Sequence, residues 1–215
     1  MKVKHKVIIL SVIGALGMLF IAAIGMYSLE LDEKTFREVD EVRVPRVDYL
    51  QRLRGAVHHI TRRDYEILSN EVLGFEEQKA ELQRLRPLAQ AAHAEALEAI
   101  RGFEEIPFLD EANKAEWLKF KPLWEEWFRH NLSHLNALDS ALANPSEAAF
   151  QQVYRLVRDG NKARYSQAIQ LQTEVNDLAV AQRRIIKEAL ANAESSNAFD
   201  TRLMITVFEI GRAHV

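Results

Sequence analysis

The stretch Leu171–Ser196, LQTEVNDLAVAQRRIIKEALANAESS, decides the fold. Leu171, Val175, Leu178, Gln182, Ile185, Ala189, Asn192 and Ser196 follow one another at alternating steps of four and three. That spacing draws one stripe down a helix, the seam used in helix bundles and coiled coils. The stripe turns polar toward its end.

The same period runs through the rest of the chain. Leu50, Leu53, Val57, Ile60 and Ile67 keep it, and so do Trp117, Phe120, Trp124, Trp127, Leu135, Leu138 and Leu142. Breakers are few. Gly74, Pro107 and Asn144-Pro145-Ser146 interrupt the pattern, and Asn144 or Ser146 can cap the helix that follows. They leave helical segments over 28–72, 75–103, 109–143 and 146–200. Pro45 is expected to kink the first segment or to occupy an early turn, and Pro87 and Pro122 to bend theirs locally.

Segment lengths add a second argument. The path rises about 45 residues, returns about 29, rises about 35 and comes back through about 55. With short loops, an up-down-up-down arrangement closes on the level where it began. The expected fold is all-α: an antiparallel four-helix bundle whose long helices are continuous with membrane helices.

Composition agrees. The 215 residues hold only 8 Gly and 5 Pro, and good helix formers dominate the middle. A formal net charge of −3 with 27% charged residues offers no basic field for nucleic acid. With no Cys, disulfides, thiolate chemistry and Cys-ligated metals are excluded.

Ahead of the bundle, Lys2, Lys4 and Lys6 form a basic head over residues 1–6. Val7–Tyr27 then runs 21 residues without a charge, roughly 31 Å of helix and so the thickness of a bilayer core. Tyr27 sits where an interfacial aromatic belongs, and Glu30, Asp32 and Glu33 follow. Lysines before the span and acids after it put the N-terminus in the cytoplasm and residues 28–200 outside the inner (cytoplasmic) membrane, on its periplasmic or extracellular side. A cleaved signal peptide has an apolar region of only about 7–15 residues and a small-residue cleavage site; Gly25-Met26-Tyr27 is a poor one. Thr201–Phe208 reads as the start of a second membrane helix. Residues 209–215 read as a non-native tail, since Ile210-Gly211-Arg212-Ala213-His214-Val215 matches the translation of a common sequencing-library adapter.

Two membrane helices around an outside helical bundle resemble the sensor region of methyl-accepting chemotaxis proteins. The stretch Val42-Arg43-Val44-Pro45-Arg46-Val47-Asp48-Tyr49-Leu50-Gln51-Arg52-Leu53-Arg54 is similar to the first sensor helix of that family, followed by Ile60-Thr61-Arg62-Arg63-Asp64-Tyr65. The resemblance covers nearly all of residues 1–208. It implies a homodimer packed through the first helices, a small-molecule ligand, and a cytoplasmic kinase complex reached through a C-terminal part not in this chain. The same type of sensor domain is also found on histidine kinases and cyclases. A ligand-free structural membrane-anchored bundle is the third reading.

Candidate ligand contacts come from charge placement. Arg54, His58 and Arg62 lie at i, i+4 and i+8, on one helix face, with His59 and Arg63 beside them. Stacked cations repel unless neutralised, and a carboxylate ligand, an organic acid or amino acid, can do so through bidentate arginine contacts. Counting from the membrane, Arg62 stands level with residue 167 of the last helix, where Arg164, Tyr165 and Gln167 could complete the pocket. The simpler expectation is that these arginines pair with Asp64, Glu66 or acids on neighbouring helices.

Other motifs point to packing. His130 and His134 have a zinc-compatible i, i+4 spacing with Glu126 a turn earlier, but residues 131–133 lack the zincin Glu and no third ligand is evident. The aromatic stripe Trp117, Phe120, Trp124, Trp127 and Phe128 could line a pocket for aromatic or quaternary-ammonium compounds, but reads first as core. There is no Gly-rich phosphate loop and no legible Ser/His/Asp arrangement. No catalytic residue, metal or cofactor is expected, and the chain is not read as an enzyme.

Overall fold

A computed structural model describes the backbone of residues 2–109 and 111–213 and the side chains of residues 16–109 and 111–195. The described residues are helical throughout their regular elements, with no strand. The elements are α1 (Lys2–Glu38), a π-helical turn (Val39–Arg43), α2 (Val44–Ser69), a 3-10 turn (Asn70–Val72), α3 (Phe75–Glu105), α4 (Glu111–Ala143) and α5 (Glu147–Ala213).

The joints follow from local chemistry. Pro45 has no N–H to give to residue 41, and its ring crowds that carbonyl. The helix answers with one wider turn, in which the Val44 N–H reaches the Val39 carbonyl. At the next joint Leu73 and Gly74 take extended backbone. The Gly74 N–H is 3.4 Å from Glu77 Oε2, and Gln78 Nε2 donates to the Glu71 and Leu73 carbonyls at 3.0 and 2.9 Å. Ser146 Oγ accepts the Ala149 N–H at 3.1 Å, so it caps α5. α3 and α4 continue across Pro87 and Pro122.

The chain divides into two compact units, Met1–Val44 with Arg183–Val215, and Pro45–Gln182. In the first, Ser28, Asp32, Val39 and Ala193 are buried. Leu16, Met18, Leu19, Phe20, Met26 and Tyr27 are exposed, between 60% and 73%. Among the described residues no helix is long and apolar enough to cross a membrane. The expected span 7–27 lies partly outside the residues whose side chains are described, and the expected second span 201–208 and tail 209–215 lie wholly outside them.

In the Pro45–Gln182 unit two apolar clusters form, each fed by α2, α3, α4 and α5. One gathers Leu50, Leu53, Val57 and Ile60 with Ala92, Ala96, Phe103, the aromatic residues of α4, Leu171 and Val175. The other gathers Ile67, Leu82, Leu85, Leu138, Phe150, Val153, Tyr154 and Val157. The stripe of large aromatics on α4 faces alanines on α3.

Candidate functional site

α2 carries its cations along one side, as the sequence requires, but they end in separate places. Arg54 Nη1 donates to Asn176 Oδ1 at 3.1 Å. Arg54 and His58 line an open groove with Gln51, Gln172, Thr173, Asn176 and Ile169. The His58 and His59 rings stand edge to face with centroids 6.0 Å apart. Arg62 Nε donates to Glu66 Oε1 at 2.8 Å, and Arg63 reaches the other oxygen of the same carboxylate. Burial pushes the Glu66 carboxyl up, but the hydrogen bonds from Arg62 and Arg63 outweigh it and hold it below the usual range.

On α5, Arg164 Nη1 donates to Glu126 Oε1 at 2.7 Å and to Gln167 Oε1 at 3.0 Å. Its hydrogen bond and charge keep the Glu126 carboxyl below its ordinary value. Tyr165 lies with Tyr65, Thr61, Trp127 and His130 on a small cavity of about 10 Å³, enough for one water. The seven candidate side chains therefore form three groups. Arg54 and His58 share the groove, Arg62 and Arg63 neutralise Glu66, and Arg164 and Tyr165 border the cavity, with Gln167 bonded to Arg164.

Between the two apolar clusters lies a polar set that the sequence reading did not assemble. His134 Nδ1 is 2.8 Å from Asp64 Oδ2, and both residues are buried. His130 lies beside His134, with ring centroids 4.7 Å apart. His93 Nδ1 lies 2.8 Å from the Ala89 carbonyl, and its ring packs 5.5 Å from that of Phe128. Asn131 Nδ2 donates to the Trp127 carbonyl at 2.8 Å. A signal was there to find. Asp64 sits between Ile60 and Ile67 on the core stripe of α2, and Asn131 and His134 between Trp127 and Leu138 on that of α4. Polar residues at core register demand partners.

Gly160 of α5 explains how two imidazoles fit. A Cβ there would overlap the Nε2 atoms of both His130 and His134. Among the described residues no group of three or more His, Cys, Asp or Glu could hold a metal ion. The aromatic stripe is buried, and Trp117 Nε1 donates to Glu104 Oε1 at 3.1 Å.

Neither protein-family models, nor curated proteins, nor solved structures match this chain.

Proposed function

We propose that the chain is the input region of a transmembrane receptor of the type that methyl-accepting chemotaxis proteins represent. It is anchored by residues 7–27 and senses a small molecule through a four-helix bundle outside the membrane. The observation that carries this reading is the run of exposed apolar side chains from Leu16 to Tyr27, the second part of the uncharged stretch Val7–Tyr27 that follows Lys2, Lys4 and Lys6. Apolar surface of that extent is costly in water and is covered at no such cost by lipid.

Contacts within the Pro45–Gln182 unit support an up-down-up-down bundle. Arg46 Nη2 donates to the Ile106 carbonyl at 2.6 Å and Arg52 Nη2 to Glu98 Oε1 at 2.8 Å, while Ile67 shares a cluster with Leu82 and Leu85. Partners on α3 fall in number as those on α2 rise, as antiparallel neighbours do. Arg54 with Asn176 and Arg158 with Glu71 follow the same rule between α5 and the first half of the unit. A ligand that favours one of two packings of such helices shifts their populations and needs no catalysis. Stiff helices can carry a small piston or rotation to the far side of a membrane.

The groove of Arg54, His58, Gln172, Thr173 and Asn176 is the ligand site best supported. It offers a guanidinium, an imidazole and neutral hydrogen-bonding groups in the open, which suits an organic acid or an amino acid. Arg62 and Arg63 already have a carboxylate.

The membrane arm is tested by fractionation and by sided labelling. The full chain should stay with membranes through an alkaline carbonate wash and leave them only with detergent. Because the chain has no Cys, Val72→Cys at an 89% exposed position gives a single thiol. A membrane-impermeant maleimide should label it from outside on intact spheroplasts, and Lys4→Cys only after lysis. Release by carbonate, or the opposite sidedness, would overturn the reading.

A further inference from the structure

We infer that Asp64, His93, His130 and His134 form a proton-binding site at the centre of the Pro45–Gln182 unit, which repacks when the surroundings become mildly acidic. This needs only the packing of α2 to α5 and is independent of the receptor reading.

The geometry sets one carboxylate against three imidazoles. Asp64 comes from α2, His93 from α3, and His130 and His134 from α4, with Gly160 of α5 closing the space. Hydrogen bonding fixes two of the tautomers. His134 donates from Nδ1 to Asp64, and His93 from Nδ1 to the Ala89 carbonyl. In the neutral form of either ring Nε2 is the bare nitrogen. The Nε2 atoms of His93, His130 and His134 are all buried without a hydrogen-bond partner. A proton arriving at His93 or His130 puts charge into the interior; at His93 the Asn131 backbone can accept a hydrogen bond from the charged ring, but burial outweighs it. A bare lone pair is tolerated far better than that.

Charges around the cluster offer little compensation. Near His93 they are Asp64 and His134. Near His130 they are His134, Arg164 and Asp64, with Arg155 and Asp159 of α5 and Glu125, Glu126 and Arg129 of α4 on the outer surface, and the phenols Tyr65 and Tyr165 on the cavity. Arg164 is itself held by Glu126. Asp64 can balance one imidazolium; a second or third charge must find water. Burial depresses the proton affinity of both His93 and His130 below the ordinary imidazole value of 6.5, and the neighbouring His134 adds to this. Both rings are thus neutral near pH 7 and charge on acidification. The route to water leads past Gly160 into the small cavity lined by Trp127 and Asn161. Loosening there separates α5 from α4 at mid-height.

Trp127 reports the event from within. It shares that cavity with His130 and lies 5.7 Å, centroid to centroid, from Trp124. The full chain is titrated between about pH 8 and about pH 5, with tryptophan emission and far-ultraviolet circular dichroism followed together. The expected result is a reversible change in emission below pH 6.5 with helicity retained, lost in the His93→Gln/His130→Gln double variant. An unchanged transition in that variant overturns the inference. Should the double variant fail to fold, ¹³C-histidine-labelled wild-type chain decides, with the single variants assigning the signals. Proton uptake at His93 or His130 in step with the emission change supports the site, and uptake only as helicity disappears overturns it.

Discussion

His134 Nδ1 lies 2.8 Å from Asp64 Oδ2, and the two residues are 1% and 4% exposed. This hydrogen bond joins α4 to α2 across a sequence separation of 70. It marks the level at which the two apolar clusters separate, and it fixes which face of His134 meets Gly160.

Removing the acceptor should be costly. Asp64→Ala strands the His134 N–H in the core and is expected to lower unfolding free energy by about 2–3 kcal/mol. Asp64→Asn, whose carbonyl still accepts, should lose less than half as much. Urea unfolding of the three proteins measures both. Equal losses would mean that the bond contributes nothing.

Glycine-to-alanine exchange inside a helix normally stabilises by about 1 kcal/mol. Gly55→Ala should do so, because its Cβ meets nothing within 4 Å. Gly160→Ala should instead destabilise by about 1–3 kcal/mol, since the methyl overlaps two imidazoles. Thermal unfolding midpoints moving in opposite directions are the expected outcome.

The arginines of α2 should differ in ligand response. Arg62→Ala removes an exposed pair with Glu66 worth about 0–1 kcal/mol and should leave any stabilisation by organic acids or amino acids intact. Arg54→Ala should abolish it. A thermal-shift series with acetate, succinate, aspartate and glutamate at fixed ionic strength compares the variants, with stabilisation following mass action. The assignment to the groove fails if Arg54→Ala responds as wild type does.

Acid should weaken the fold through the core histidines. His93 and His130 bind protons less readily folded than unfolded. Below pH 6.5 the unfolded chain therefore carries more protons, and stability falls with pH until the folded rings titrate too. Replacing both by Gln should flatten the unfolding midpoint between pH 6.5 and the lower folded values. A slope unchanged by the replacement would point to other groups.

Tyr154 gives the alkaline counterpart. Its hydroxyl is buried without a partner, and burial, with Glu71 nearby, pushes it up to about 12. Because it stands above the ordinary phenol value of 10.0, the unfolded chain loses this proton first, and stability is lost as pH rises through 10 toward 12. Tyr154→Phe removes an unsatisfied hydroxyl. It should be neutral or stabilising by up to about 1 kcal/mol, and should remove that part of the alkaline loss.

Much of the helical layout was legible because its cause is local. Gly74, Pro107 and Asn144-Pro145-Ser146 fall where helices stop, since a residue without an N–H or without a Cβ acts on its own turn. Pro45, where the sequence predicts an early turn or a kink, sits in the first turn of α2 behind a π-helical turn. The candidate site was less legible. Arg54, His58, Arg62 and Arg63 were readable as one charged side, but which of them already had a partner depended on whether Glu66 turned toward them, a choice of rotamer.

The sequence by itself determined an all-helical chain, the stripes that become its core, the joints between its helices and the separate apolar run near the N-terminus. Period and breaker positions are properties of neighbouring residues and survive any arrangement of the helices. Only the tertiary structure decided that Asp64 meets His134, that Gly160 leaves room for two imidazoles, and that His93 and His130 lie near enough to feel the Asp64 charge. Those contacts join residues far apart in the chain, and their geometry exists only once helices have chosen their neighbours and their register.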